Sequence, residues 1–148
     1  MKIAVDTLFA DDLGADALKS WDHTTDWISD CSLIKHNLDG EAGKSNLSSQ
    51  IDDLFTNGTT TWTFRMSSVF EPTTSNKFCY WLMASKSNLS DNKTSGYAVG
   101  VCITGSAKNL VMCRVDANGT KTVLYQTRYL WNDQSDVKII VTRTAKGS

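Results

Sequence analysis

The sequence predicts an all-β domain built as a two-sheet antiparallel sandwich, and three observations carry that expectation. From residue 61 onward apolar side chains recur at every second position, the period of a strand with one buried face. The alternating runs are short and separated by clusters of Gly, Asn, Ser and Thr, as in sandwiches and barrels rather than α/β folds. The sole proline, Pro72, falls in one of those clusters, so no predicted strand centre lacks its amide donor. At 148 residues the chain has the length of one ordinary domain with a substantial core, and no internal repeat or low-complexity linker divides it.

The first sixty residues are the least regular. Ala4 to Phe9, Ser32 to Leu38 and Asn46 to Ile51 fit short strands. Asp11 to Ser20 places Leu13, Ala17 and Leu18 at helical spacing, and reads equally well as a loop. Thr61 to Phe70 then sets Trp62, Phe64, Met66 and Phe70 against Thr63, Arg65 and Ser67. Glu71 to Asn76 is a turn cluster, and Lys77 to Ser85 alternates Phe78, Tyr80 and Leu82 with Cys79, Trp81 and Met83. After the polar stretch Ser87 to Ser95, Gly96 to Thr104 carries Tyr97, Val99, Val101 and Ile103 on one face. Gly105 to Asn109 connects it to a returning strand, Leu110 to Asp116. Asn118-Gly119 is a strong hairpin signal leading into Thr120 to Gln126, and Val137, Ile139 and Val141 close the series. Shared parity predicts a buried set of Trp62, Phe64, Tyr80, Leu82, Tyr97, Val99, Ile139 and Val141. A tight turn between Ala107 and Lys108 would set Cys102 opposite Cys113, with all four cysteines expected as free thiols.

Composition excludes several classes of function. A formal net charge of −1 offers no footprint for nucleic acid or an anionic membrane, and no apolar run approaches membrane-spanning length. Lys2 to Val5 is too short for a signal peptide, so an exported parent would have lost its leader. Cys31, Cys79, Cys102 and Cys113 form no CxxC pair, which removes support for a zinc or thioredoxin-like site.

The segment Trp62 to Asn76, WTFRMSSVFEPTTSN, resembles a bacterial motif of the form WxFxVxLxFxPSxSN, found in concanavalin A-like jelly-roll domains of secreted and envelope proteins. YWLMAS at 80–85, GYAVG at 96–100 and VKIIVTR at 137–143 extend the likeness, and FADDL at 9–13 is similar to the opening FxDDF turn. The resemblance implies a jelly-roll sandwich in a secreted, periplasmic or cell-surface protein. Such domains continue past the VTR strand with a Gly-Trp turn and further strands, so a longer parent protein is expected.

Glucanases of that fold carry an ExDxxE strand motif, because retaining hydrolysis needs two carboxyl groups about 5 Å apart. The only glutamates here, Glu41 and Glu71, lie in loop-like sequence, and the aspartates read as turn residues. No catalytic residue is therefore expected, and a glycan-active hydrolase is the weakest reading. His23 and His36 accompany no GxSxG elbow. No cofactor is expected, although Asp52-Asp53 and Asp133 with Asp136 are positions where a structural calcium could sit.

Aromatic residues carry the functional signal, because Trp and Tyr stack on the C–H face of a sugar ring. Parity places Arg65, Trp81 and Lys138 on the outer face, and these three form the candidate carbohydrate site. Cys79, Cys102, Cys113, Met83, Val111 and Ile140 share that parity, which makes the face more apolar than an open sugar groove. Two readings follow: a non-catalytic carbohydrate-binding or adhesion module, or a structural, protein-interaction domain with no small ligand. Expected partners are a glycan or other domains of the parent, with no nucleic acid and no membrane insertion.

Overall fold

A computed structural model describes residues 16–30, 33–37, 43–51 and 58–144. The contacts group the chain into two compact units: 1–54 with 86–91, and 55–85 with 92–148. In the first, a 3-10 turn at Ala17–Ser20 precedes four short strands: β1 (Asp22–His23), β2 (Trp27–Asp30), β3 (Leu33–His36) and β4 (Leu47–Ser48). β1 pairs with β4, and β2 with β3, both antiparallel. The expected strands at Ser32–Leu38 and Asn46–Ile51 correspond to β3 and β4, and of the expected Asp11–Ser20 element the described part forms the 3-10 turn, residues 11–15 lying outside the described residues. The expected strand at Ala4–Phe9 and the FADDL segment lie outside the described residues.

The second unit holds β5 (Thr60–Ser67), β6 (Phe78–Ala84), β7 (Gly96–Val101), β8 (Asn109–Val115), β9 (Lys121–Leu130) and β10 (Asp136–Arg143). β6-β7-β8-β9 form a four-stranded antiparallel sheet, and β5 pairs with β10 in a second, two-stranded one. The fold is all-β and antiparallel, as the alternation required. Along β5, exposure alternates strictly, with Trp62, Phe64 and Met66 turned toward the core.

One core cluster takes Leu82, Val99, Val101, Cys102, Leu110, Trp131 and Ile139, with Trp62, Phe64, Met66, Tyr80 and Val141 packed on it. Side chains of β5 and β10 therefore meet those of β6, β7 and β8, and Phe64 stacks on Tyr80 with ring centroids 3.8 Å apart. Seven of the eight residues expected inside belong to this cluster. Tyr97 does not: it shares the face of Val99 but is 38% exposed at the end of its strand.

Three further differences have local causes. β7 stops at Val101, where Cys102 turns left-handed (φ 56°), so residues 102–108 form a longer connection than a tight turn. The register consequently shifts by four residues: Cys113 faces Ala98, and Leu110 faces Val101. An even shift preserves which face each β8 residue occupies. Cys102, beyond the strand, joins the inner cluster, whereas Cys113 lies on the opposite face. In β6 a bulge leaves Leu82 between the pairs Trp81–Ala98 and Met83–Tyr97. The extra residue moves Met83 from the outer to the inner face.

Finally, β9 runs to Leu130, four residues past the expected end, and delivers Trp131 into the core with 1% exposure. Trp131 Nε1 donates to Ser68 Oγ at 2.7 Å, and its ring meets Phe78 edge-on at 5.3 Å. The Asn118-Gly119 hairpin forms as expected, with Asp116 N donating to Thr120 O and Gly119 N to Asp116 O.

Candidate functional site

Arg65 and Lys138 are direct cross-strand partners in β5 and β10, both exposed on the side turned away from Phe64 and Ile139. Two like charges so placed repel. Asp136 relieves one of them: its carboxylate accepts from Arg65 Nε at 2.5 Å and Nη2 at 2.6 Å. The guanidinium holds the Asp136 carboxyl below the usual carboxylate range. Lys138 has no ion-pair partner among the described residues.

Trp81 belongs to the other sheet. It is half-buried against Ala98, Ile103, Cys113 and Val115, on the face of β6-β7-β8 opposite the main core. Arg65 and Trp81 thus point away from opposite sides of one apolar layer, and no single sugar ring touches both. The structure brings Arg65 and Lys138 together and leaves Trp81 apart.

The face that carries Trp81 is closed at its centre: Cys113 is 0% and Ala98 1% exposed. Gly100 contributes to this closeness, since a Cβ there would stand 2.6 Å from Cys79 Cβ. Cys79 keeps contact with solvent yet is ringed by protein, which pushes its thiol up to about 11, with Cys113 adding to the effect. Cys79, Cys102 and Cys113 are free thiols, as expected; Cys31 lies outside the described residues.

Two recesses open on the core layer. One, of about 250 Å³, lies at the strand ends between Trp62, Met83, Tyr97, Thr142 and Arg143. The other, of about 240 Å³, runs between β10 and the inner face of β8 and β9, lined by Met112, Tyr125, Thr127, Ile139 and Val141. Sequence reasoning singled out neither. Parity assigns Tyr97 to the core and gives Tyr125 no role beyond the expected strand Thr120 to Gln126. The available signal was the apolar series Val123, Leu124, Tyr125, Tyr129 and Leu130, which is dense for a strand lying at a sheet edge.

In the first unit Asp26, His36 and Ser45 meet. His36 Nε2 lies 2.8 Å from both Asp26 Oδ2 and Ser45 Oγ, and Ser45 Oγ also donates to Asp26. A catalytic triad needs the acid on one ring nitrogen and the nucleophile on the other. Here both contacts fall on the same nitrogen, so the cluster is no proton relay. A hydrogen bond from Thr24, then the Asp26 backbone amide, then His36 hold the Asp26 carboxyl below its ordinary value against the opposing effect of burial.

Glu71 pairs with Lys108, Asp91 with Lys86 and Asp116 with Arg114, each acid against a cation rather than a second carboxylate. No three His, Cys, Asp or Glu side chains converge among the described residues; Asp136 is engaged by Arg65, and Asp52 and Asp53 lie outside them. No helix among the described residues is long and apolar enough to cross a membrane.

Charge is divided unevenly. The residues of the second unit include ten Lys and Arg against four Asp and Glu, those of the first five against twelve. The near-zero total conceals a basic and an acidic half. Comparison with known proteins found no matching family model, no matching curated protein and no matching solved structure.

Proposed function

We propose that the chain is a non-catalytic protein-interaction domain, built as a concanavalin A-like jelly-roll sandwich and belonging to a larger secreted or envelope protein. One observation supports it above the others. The outer face around Cys113 is closed, while large apolar side chains stand exposed on β9 and β10, Tyr125 at 65% and Ile140 at 62%. Apolar residues gathered on one region in this way mark association surfaces more often than chance exposure does.

A second reading, carbohydrate binding, is favoured by a different place from the one the sequence suggested. Tyr97 borders a recess with Trp62, Thr142 and Arg143, an aromatic face beside polar groups suited to hydroxyls. The two readings separate experimentally. An interaction domain gives no glycan-array signal, and binds an anilinonaphthalene sulfonate dye whose fluorescence falls in Tyr125→Ser/Ile140→Ser. A glycan bound by the wild type and lost in Tyr97→Ala would instead establish the sugar-binding module.

A further inference from the structure

Among the described residues β10 pairs with β5 alone, so along 136–142 its second edge carries backbone donors and acceptors with no described strand beside them. That edge faces the recess floored by Met112 and Tyr125, which pair with each other across β8 and β9. Among the described residues, the sheet of β5 and β10 above the recess is two strands wide, against four on the other side of the core layer. The missing width is that of a further strand, since neighbouring strands lie about 4.8 Å apart.

The register fixes what such a strand must carry. Its inward side chains would cover Met112 and Tyr125 beside Ile139 and Val141, so they must be apolar. Its outward side chains would sit beside Lys138, which is unpaired among the described residues and directly faces Arg65 on its other side. A carboxylate there would answer a cation that the fold leaves without one. The surrounding charge agrees. Lys121 and Arg128 of β9 add to the charge of Lys138, while Asp116 is taken by Arg114 and Asp136 by Arg65.

We infer that the free edge of β10 accepts an extended segment of a partner polypeptide in which apolar residues alternate with acidic ones. The added strand lengthens the β5–β10 sheet through main-chain hydrogen bonds and closes the recess with its apolar face. This inference rests on the interaction-domain reading and names the partner's chemistry at that site.

The test uses a fluorescent nine-residue peptide alternating Val and Glu, titrated into the whole chain and followed by anisotropy. A Val/Lys peptide and two N-methylated Val/Glu peptides, blocked at every Val or at every Glu amide, serve as comparisons. In a strand added at an edge, alternate amides point to the neighbour and the others to solvent. Binding of the Val/Glu peptide should be lost in one methylated version and kept in the other, and should weaken at least tenfold in Lys138→Glu. That variant alters an exposed side chain, and an unchanged circular dichroism spectrum verifies its fold.

Equal binding of the Val/Lys peptide, or equal behaviour of the two methylated peptides, would overturn strand addition. Sedimentation showing a stable dimer that excludes the peptide would give the edge to a second copy of the chain and overturn the partner assignment. If the peptide fails while dye still marks Tyr125 and Ile140, the strand inference falls and the interaction reading stands. If both fail, both fall.

Discussion

The central strands β7 and β8 and the edge strands β9 and β10 use similar apolar residues to opposite ends. In β7 and β8 both faces are buried: Val99, Val101 and Leu110 point into the main core, and Ala98, Val111, Cys113 and Val115 into the other side. In β9 Val123, Leu124, Tyr125, Tyr129 and Leu130 remain exposed, as does Ile140 in β10. The difference follows from position in the sheet. A central strand has neighbours on both edges and cover on both faces, so its apolar sequence is consumed by folding. An edge strand has a free side, and apolar residues beyond what the core needs stay exposed there.

The comparison breaks most visibly where β9 stops behaving as an edge. Trp131, just past the end of that strand, is as buried as Ala98 of β7. Trp131→Ala should cost about 3–5 kcal/mol through lost contacts and a cavity, measured by urea unfolding. An effect below about 1 kcal/mol, the scale of an ordinary surface substitution, would place the ring outside the core.

Close approach between central strands gives the next largest effect. At Gly96 (φ 149°) a Cβ would stand 2.0 Å from Met83 O, and at Gly100 2.5 Å from Phe78 O, backbone atoms that cannot swing away. Gly96→Ala and Gly100→Ala should each destabilise by about 1–3 kcal/mol. Because the Gly96 site adds backbone strain to the clash, it should be the worse of the two.

How much of this was legible in the sequence depended on whether local pattern or long-range pairing decided each feature. The alternation of Trp62, Phe64 and Met66, and the Asn118-Gly119 turn, are local, and both were read correctly. The pairing of Cys113 with Ala98 was missed because it depends on where Cys102 leaves the strand, and nothing in the spacing marks a left-handed cysteine. Met83 was assigned to the wrong face because a bulge changes parity without a sequence signature such as glycine. The candidate site failed in a similar way. Parity turns Arg65, Trp81 and Lys138 away from the core, as found, but puts on one outer face residues that the structure divides between two sheets.

Thiol chemistry sharpens the contrast between the two sides of β6. With its thiol pushed up to about 11, Cys79 is overwhelmingly protonated at pH 8. Native alkylation at pH 8 should be at least tenfold slower than for free cysteine and should accelerate as pH rises toward 11. Cys102 and Cys113, both buried, should react only on unfolding. Rapid labelling of Cys79 at pH 8 would show its surroundings to be more open than its neighbours imply.

The smallest effect belongs to the exposed pair on β5 and β10. Arg65 depresses the Asp136 carboxyl, so the pair stabilises the native state above the ordinary carboxylate value of 3.8. That contribution is lost as pH falls through the lower folded value. Carbon-detected NMR titration should give an Asp136 midpoint below 3.8 that returns toward it in Arg65→Gln and in high salt. An unchanged midpoint in Arg65→Gln would mean the ion pair does not persist in solution.

The central claim, that apolar side chains of the edge strands serve association and not folding, is tested most directly by equilibrium urea unfolding of two variants side by side. Leu110→Ala removes a core side chain at 6% exposure, and Tyr125→Ser/Ile140→Ser removes two at more than 60%. The first should lose about 2–5 kcal/mol. The second should stay within about 1 kcal/mol of wild type, two surface substitutions of about 0.5 each. A double variant as destabilised as Leu110→Ala would show that Tyr125 and Ile140 belong to the folded core, and would contradict an open docking edge on β10.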